Sequence, residues 1–391
     1  MTSRSIGMIV VALVTIAFAA SASAVRADAP EGVPALRVAM FPIENLSDGD
    51  APTDRIANLL RERLEAIGLI PLDDATTASF LRGNRVRWVG GINRELARRL
   101  RTETGVDAVA ITSLDAYRDV YPPVIAMTAR IVSIEDDPEI LWMDSFHRSG
   151  DDSPGILDLG LIRDPDVLLT EVLDELTSSA SQVLNGHRPL RPPWLSQGRF
   201  GLDTSTGSTA TVRDQGSART RVAVIPFVND SDRPRAGEIL ALQTVRHLAS
   251  AGTLDVIDPG VVRETSLRAR VIQRDGLSTP QAELLRDLLE ADLVITGQVH
   301  RYDPSHSGAD PPVVSFSVRA VDTTSLQVVW AGFGYNRGDD GDVLFQSRRV
   351  RTAHELAFQM TRAAVREMCE WTLNDVRRRR RFLDSPDGPG R

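Results

Sequence analysis

The pattern of apolar and polar positions divides the first half of the chain into short strands and amphipathic helices. Residues 38–43 form a short apolar run broken by a proline, as is typical of a buried strand. After a polar turn, apolar side chains recur at helical spacing from Ile56 to Ile67, and Gly68 is predicted to end that helix in the left-handed conformation. The pattern then predicts a brief strand, a second helix, three longer strands and a closing helix. The brief strand is predicted at 69–72, the three longer strands at 107–116, 123–134 and 139–147, and the closing helix at 166–184.

The second half of the chain repeats this order of elements. Its brief strand is predicted at 254–257, after a helix that ends at Gly252. The next helix opens with Ser278-Thr279-Pro280-Gln281, a capping-box pattern ahead of a leucine-rich stretch. Three strands and a last helix follow, at 291–301, 313–322, 326–335 and 351–373.

The two halves also share sequence, which indicates an internal duplication. The segment RVAMFPIENLSD at 37–48 aligns with RVAVIPFVNDSD at 221–232, and a nearly constant offset aligns the later landmarks. Each half ends its strand region with Gly-Asp-Asp, at 150–152 and 338–340. We therefore predict two tandem α/β domains with mixed sheets. The bounds predicted for the domains and the segments around them are 35–187 for the first domain, 188–219 for a linker, 220–376 for the second domain and 377–391 for a basic, disordered tail.

The N-terminus has the features of a cleavable signal peptide over residues 1–24. Arg4 supplies a positive charge, 6–20 is a mostly apolar run, and Ala22-Ser23-Ala24 is a small-residue cleavage pattern. The apolar run is short for a membrane span, and no lipobox cysteine stands at the cleavage site. The predicted location is therefore the periplasm or another extracytoplasmic space.

Three segments of the second half carry a resemblance to a known group of proteins. They are Val222–Ser231 (VAVIPFVNDS), Ala291–Gly297 (ADLVITG) and Arg319–Trp330 (RAVDTTSLQVVW). These segments resemble the amino-terminal domain of TolB and the CsgG and LpoB families of bacterial envelope proteins. The resemblance implies a mixed-sheet α/β domain that binds protein partners in the periplasm or at the outer membrane, with no shared catalytic residues. The chain lacks the β-propeller of TolB and the lipid-bearing cysteine typical of CsgG and LpoB.

Composition excludes several kinds of chemistry. All 45 basic residues are arginine, so lysine Schiff bases and a P-loop lysine are excluded. The net charge of −8 argues against a general nucleic-acid binder. Cys369 is the single cysteine, the six histidines have no paired metal-ligand spacing, and no G-x-S-x-G elbow occurs. We therefore predict no catalytic, cofactor or metal site.

Two candidate sites remain, each with a simpler structural explanation. The first is the pair of turns after the opening strands, since ligands often bind at strand ends ahead of a helix; the same residue types also serve as ordinary turn and capping residues. These turns contain Asn45, Ser47 and Asp48 in the first half, and Asn229, Ser231 and Asp232 in the second. The second is a run of five arginines that could contact anionic lipid or form a solvated tail. The run is Arg377, Arg378, Arg379, Arg380 and Arg381.

The Gly-Asp-Asp turns could hold calcium, but they lack the spacing of a calcium loop, so solvated turns are favoured. The function predicted from the sequence is that of an exported, non-enzymatic envelope adaptor or assembly factor. It would contact an envelope protein and touch the membrane at most peripherally. The alternative is a periplasmic protein that binds or hydrolyses a small ligand in the cleft between its domains.

Overall fold

A computed structural model describes most of the chain after the predicted signal peptide. The described residues are 36–152, 160–186, 199–206, 219–270, 279–304, 310–340 and 349–383, with the side chains of residues 279 and 373–383 excepted. Residues 1–24 lie outside them. None of the described helices is both long and apolar enough to cross a lipid bilayer.

The first half, residues 36–186, contains six strands and four helices among its described residues. In chain order they are β1 (Arg37–Met40), β2 (Glu44–Asn45), α1 (Thr53–Ala66), β3 (Ile70–Pro71), α2 (Asp74–Gly83), α3 (Arg94–Thr104), β4 (Ala108–Arg118), β5 (Val124–Ser133), β6 (Glu139–Ser149) and α4 (Pro165–Leu184).

The second half, residues 199–383, opens with an additional strand and then repeats that order. Its elements are β7 (Asp203–Thr206), β8 (Arg221–Val224), β9 (Val228–Asn229), α5 (Ala236–Ala251), β10 (Asp255–Val256), α6 (Pro259–Arg268), α7 (Thr279–Leu289), β11 (Leu293–Asp303), β12 (Val313–Asp322), β13 (Val328–Arg337) and α8 (Ala353–Leu383).

Each half forms one mixed sheet, and the two sheets have the same strand order. The first sheet runs β3-β1-β4-β5-β6 and the second runs β10-β8-β11-β12-β13-β7, with β2 and β9 added beside β4 and β11. The short strands β1, β2 and β3 run parallel to β4, and β8, β9 and β10 run parallel to β11. The three long strands of each half are antiparallel to one another, and β7 pairs antiparallel with β13 at the edge of the second sheet. The predicted α/β class is confirmed, and two such halves fit a tandem arrangement.

The irregularities of the two sheets also coincide. The register of β4 against β5 skips Asp115, and that of β11 against β12 skips His300. A second bulge leaves out Leu141 of β6 and Val329 of β13. Bulges re-aim side chains locally, and their common positions allow residues of the two halves to be compared one to one.

Helices cover the sheets in two layers. In the first half α1 and α4 pack on one face, while α2 and α3 cover the other face beside β1 and the start of β4. In the second half α5 and α8 occupy the place of α1 and α4, and α6 and α7 that of α2 and α3. Gly68 and Gly252 have φ values of +94° and +63°, which confirms the predicted left-handed ends of α1 and α5.

Three sequence predictions need correction. Each half has one helix more than predicted, α2 and α6, because short helices with only three or four buried positions give a weak periodic signal. The segment predicted as a linker contains the buried side chain of Phe200 and the edge strand β7, paired with β13. The last helix ends at Leu383, not near residue 373, so it includes the first residues assigned to the tail. The domain boundaries themselves stay a prediction.

Candidate functional site

The Asn and Ser side chains of the two predicted turns form hydrogen bonds within the turns. In the first, the Ser47 hydroxyl donates to Asn45 Oδ1 at 2.5 Å and Asn45 Nδ2 donates to the Gly49 carbonyl at 2.9 Å. In the second, the Ser231 hydroxyl donates to Asn229 Oδ1 at 2.6 Å, and Asn229 Nδ2 donates to the carbonyl four residues on at 2.8 Å. Because these groups already stabilise the turn, their geometry fits the structural explanation.

Asp48 and Asp232 are exposed beside those turns. The ligand-binding role of the six turn residues stays a prediction. The five arginines at 377–381 fall within α8 by their backbone, and their side chains lie outside the described residues, so lipid contact also stays a prediction.

The Gly-Asp-Asp segments form the same tight turn in both halves. Asp152 accepts a hydrogen bond from the Ser149 amide at 2.7 Å, and Asp340 accepts one from the Arg337 amide at 2.6 Å. Asp151 also lies 3.3 Å from Arg351 of the second half. No cluster of three or more potential metal ligands occurs among the described residues.

An assembly of buried polar side chains lies where the two halves meet. Beyond the area covered by α2 and α3, one face of β4, β5 and β6 is covered by the second half. We call this surface the occupied sheet face and define it by Asp115, Arg130, Ile140, Ser145 and His147. Three of these residues are almost fully buried: Asp115 is 1% exposed, and Arg130 and Ser145 are 3% exposed.

Arg130 is the ionic anchor of this contact. Its Nε donates to Asp258 Oδ2 at 2.9 Å, and its Nη2 donates to the Gly90 carbonyl at 2.7 Å. Asp258 is fully buried and also caps α6, since its Oδ1 accepts from the Gly260 amide at 2.7 Å. The pair satisfies both buried charges, so the loss of one partner would leave the other charge unpaired.

A second arginine crosses the junction in the opposite direction. Arg233, from the loop before α5, donates to the carbonyl oxygens of Leu46 at 2.9 Å and Asp115 at 3.0 Å. The side chains of Leu46 and Met143 in turn pack into the hydrophobic core of the second half. Polar and apolar contacts therefore join the two halves along the same surface.

Burial shifts the ionisation of several groups at this junction. Loss of water raises the pKa of Asp115 to about 7, although the Ser113 and Thr128 hydroxyls donate to it at 2.6 and 2.5 Å. Desolvation also lowers the pKa of His147 to about 4 and lowers the pKa values of His247 and His354 well below the ordinary value. These histidines are therefore neutral at pH 7.

The alternative function predicted from the sequence, a small ligand bound in the cleft between the domains, stays a prediction. At the centre of the junction Asp115, Arg130 and Arg233 are bonded to protein groups, while Nδ1 of His147, Nδ1 of His354 and Oε1 of Gln243 are buried without a hydrogen-bond partner. At the margin of the junction a cleft of about 290 Å³ lies between residues 136–139 of the first half and Asp255, Val256, Ile257 and Val261 of the second. Its two arginines are engaged, Arg94 with Asp137 at 3.0 Å and Arg221 with Glu290 at 3.0 Å.

The equivalent face of the second sheet is exposed. Register equivalence identifies the counterparts of the occupied sheet face as His300, Arg319, Val328, Phe333 and Tyr335, and we call this set the free sheet face. Val328, Phe333 and Tyr335 are 43%, 45% and 50% exposed, and His300 and Arg319 are exposed as well. The His300 ring lies 6.0 Å from that of Phe333, centroid to centroid.

The free sheet face was not predicted from the sequence, although the aligned repeats contain a signal for it. In the aligned repeats Phe333 occupies the position of Ser145, and Tyr335 occupies the position of His147. The second half therefore has aromatic residues where the first half has polar ones. Without the fold, alternation in a strand does not tell which face is covered. The contrast becomes informative only when one copy is seen to cover the other.

Comparison with solved structures gives only weak similarities, with TM-scores well below 0.5. One match is the PelC dodecamer from Paraburkholderia phytofirmans, at 21% identity and a TM-score of 0.28 over 42% of this chain and 94% of that one. The lipoprotein GNA1162 from Neisseria meningitidis is 19% identical, with a TM-score of 0.28 over 37% and 99%. The LpoB C-terminal domain from Salmonella enterica is 14% identical, with a TM-score of 0.26 over 31% and 87%.

No family model matches this chain, and no curated protein is similar to it. The membership implied by the sequence resemblance therefore stays a prediction.

Proposed function

We propose that this protein is an exported, non-enzymatic adaptor or assembly factor of the cell envelope that acts through protein–protein contacts. The observation that supports this proposal is the free sheet face. Two equivalent sheet surfaces occur in the chain; one is buried by a folded neighbour, and the other exposes two aromatic side chains and a valine. Clustered exposed apolar and aromatic side chains are typical of protein interaction sites.

The buried polar groups support the same proposal. Catalytic groups need access to substrate, whereas Asp115, Arg130 and Asp258 are enclosed and bonded to protein partners. Their arrangement holds the two halves together and thereby fixes the orientation of the free sheet face. Export through the predicted signal peptide would bring this surface to envelope proteins.

The proposal is tested by affinity capture from envelope extracts with the mature chain and a double variant, Phe333→Ser with Tyr335→Ser. The matched control is Leu284→Ser with Leu288→Ser, which removes two exposed apolar side chains from α7, 37% and 43% exposed. We expect a specific partner to be retained by the wild type and the control, and lost with the double variant. Equal recovery with all three proteins would contradict the proposed surface, and N-terminal sequencing that shows no cleavage near Ala24 would contradict export.

A further inference from the structure

The ionic anchor of the junction is present in both halves but paired in only one. Arg130 lies opposite Ile111 in the first sheet, and Arg319 lies opposite Thr296 at the same register position in the second. Arg130 forms the buried ion pair with Asp258. Arg319 is exposed, and its guanidinium has no hydrogen bond or ion pair within the described part of the chain.

The acidic partner is duplicated as well. Asp258 precedes α6, and its counterpart Asp73 precedes α2, which is the equivalent helix of the first half. Each caps its helix through Oδ1: Asp73 accepts from the Thr76 amide at 2.8 Å, as Asp258 does from Gly260. The second oxygen of Asp258 binds Arg130, whereas Asp73 bonds only groups at the start of its own helix, forms no ion pair among the described residues and is exposed.

The contact between the halves is therefore a head-to-tail contact between two different surfaces of one repeated fold. Such a heterologous contact can be repeated, because each unit added leaves the same two surfaces open at its ends. Here the open ends are the free sheet face around Arg319 and the surface of the first half around Asp73 and α1. We infer that a second copy of this chain binds the free sheet face through the Asp73 surface, with Arg319 of one copy paired to Asp73 of the next.

This inference rests on the proposed function, for which it names the occupant of the free sheet face. The charges at the two ends agree with it. The free sheet face contributes the arginine, while α1 exposes Asp54, Asn58 and Glu62 at positions that match Glu238, Leu242 and Arg246 of α5. The contact between copies is thus more polar than the contact within the chain, so we expect it to be reversible and weakened by salt.

One part of the intrachain contact cannot recur between copies. Within the chain, Arg246 of α5 reaches Asp144 of β6, with a shortest distance of 2.5 Å. The counterpart of Asp144 in β13 is Gly332, and the edge of β13 is occupied by β7. The contact between copies is therefore centred on the Arg319–Asp73 pair and the aromatic side chains beside it.

The test is sedimentation velocity of the mature chain over a concentration series at low and high salt. Two variants remove the pair: Arg319→Glu, and Asp73→Asn, which keeps the helix cap. Arg98→Glu on the exposed side of α3 is the control for the change of charge. We expect the wild type and the control to form species that grow beyond dimers with concentration, and each variant to need at least tenfold higher concentration for the same assembly.

A charge swap, Arg319→Asp with Asp73→Arg, should restore assembly if the two side chains meet, with circular dichroism used to verify folding. A monomeric wild type at every concentration would overturn the inference, as would assembly that neither variant weakens. This result is distinguishable from a failure of the proposed function. A monomeric protein that still captures an envelope partner through Phe333 and Tyr335 would contradict only the binding of a second copy, and the adaptor proposal would stand.

Discussion

At the scale of single residues, the stability of the junction depends on the pairing of buried charges. Arg130 and Asp258 are 3% and 0% exposed and are bonded to each other. Replacing Arg130 by methionine keeps much of the side-chain volume but leaves a carboxylate buried without its partner. We expect Arg130→Met to lower the free energy of unfolding by about 3–5 kcal/mol, measured by urea denaturation.

Arg319, the equivalent of Arg130 in the second half, provides a matched control. Arg319→Met changes the same residue type at the same register position on an exposed surface, so we expect a change within about 0.5 kcal/mol at low protein concentration. The double variant Arg130→Met with Asp258→Asn should recover much of the loss. Equal effects at Arg130 and Arg319 would contradict the difference in burial.

Asp115 makes a distinct prediction about pH. Its pKa is about 7 in the folded protein and near the ordinary 3.8 in the unfolded chain, so folding retains a proton that the unfolded chain releases. The contribution of this group to stability is therefore present at low pH and is lost as pH rises from about 4 to about 7. His147 acts in the opposite direction, because its lowered pKa removes stability as pH falls from about 6.5 to about 4.

The variant Asp115→Asn isolates the first effect. We expect its free energy of unfolding, relative to wild type, to increase between pH 4.5 and 7.5 by on the order of 2–4 kcal/mol and to level off above that range. Chemical denaturation at a series of pH values measures it. A difference that is constant with pH would show that Asp115 is ionised in the folded protein throughout.

At the scale of elements, the duplication predicts equal effects at equivalent positions. A β-carbon on Gly150 would collide with the Ile162 carbonyl oxygen, and one on Gly338 would collide with the Val350 carbonyl oxygen. We expect Gly150→Ala and Gly338→Ala each to lower the melting temperature by several degrees. Gly49→Ala, where no atom lies within 4 Å of the added carbon, should leave it nearly unchanged. An effect in one half only would contradict equivalent turns.

The sequence predicted most of the long elements and the order of the two halves. Strands β4, β5 and β6 and their counterparts fall within a few residues of the predicted bounds, because long apolar strands between turn residues give a strong signal. Helices α2 and α6 and strand β7 were missed, since each is short and exposes polar side chains. Partners from distant parts of the chain, such as Arg130 and Asp258, depend on the packing of the halves and leave no local pattern.

At the scale of the whole molecule, two equivalent sheet faces have different environments. One is covered by the second half, and the other presents Phe333 and Tyr335 to solvent. This difference is the basis of the adaptor proposal and of the inferred head-to-tail contact. Both the adaptor proposal and the head-to-tail contact therefore require the two halves to stay packed against each other in solution.

The most direct test of this account is thiol labelling at equivalent positions in the mature chain with Cys369→Ala. Ser145 and Phe333 occupy the same place in the two sheets and are 3% and 45% exposed. With native protein at low concentration, we predict that the thiol of Phe333→Cys reacts with a maleimide about a hundredfold or more faster than that of Ser145→Cys, which must wait for the junction to open. Equal rates under native conditions would show that the first sheet face is not covered by the second half, and would contradict the account.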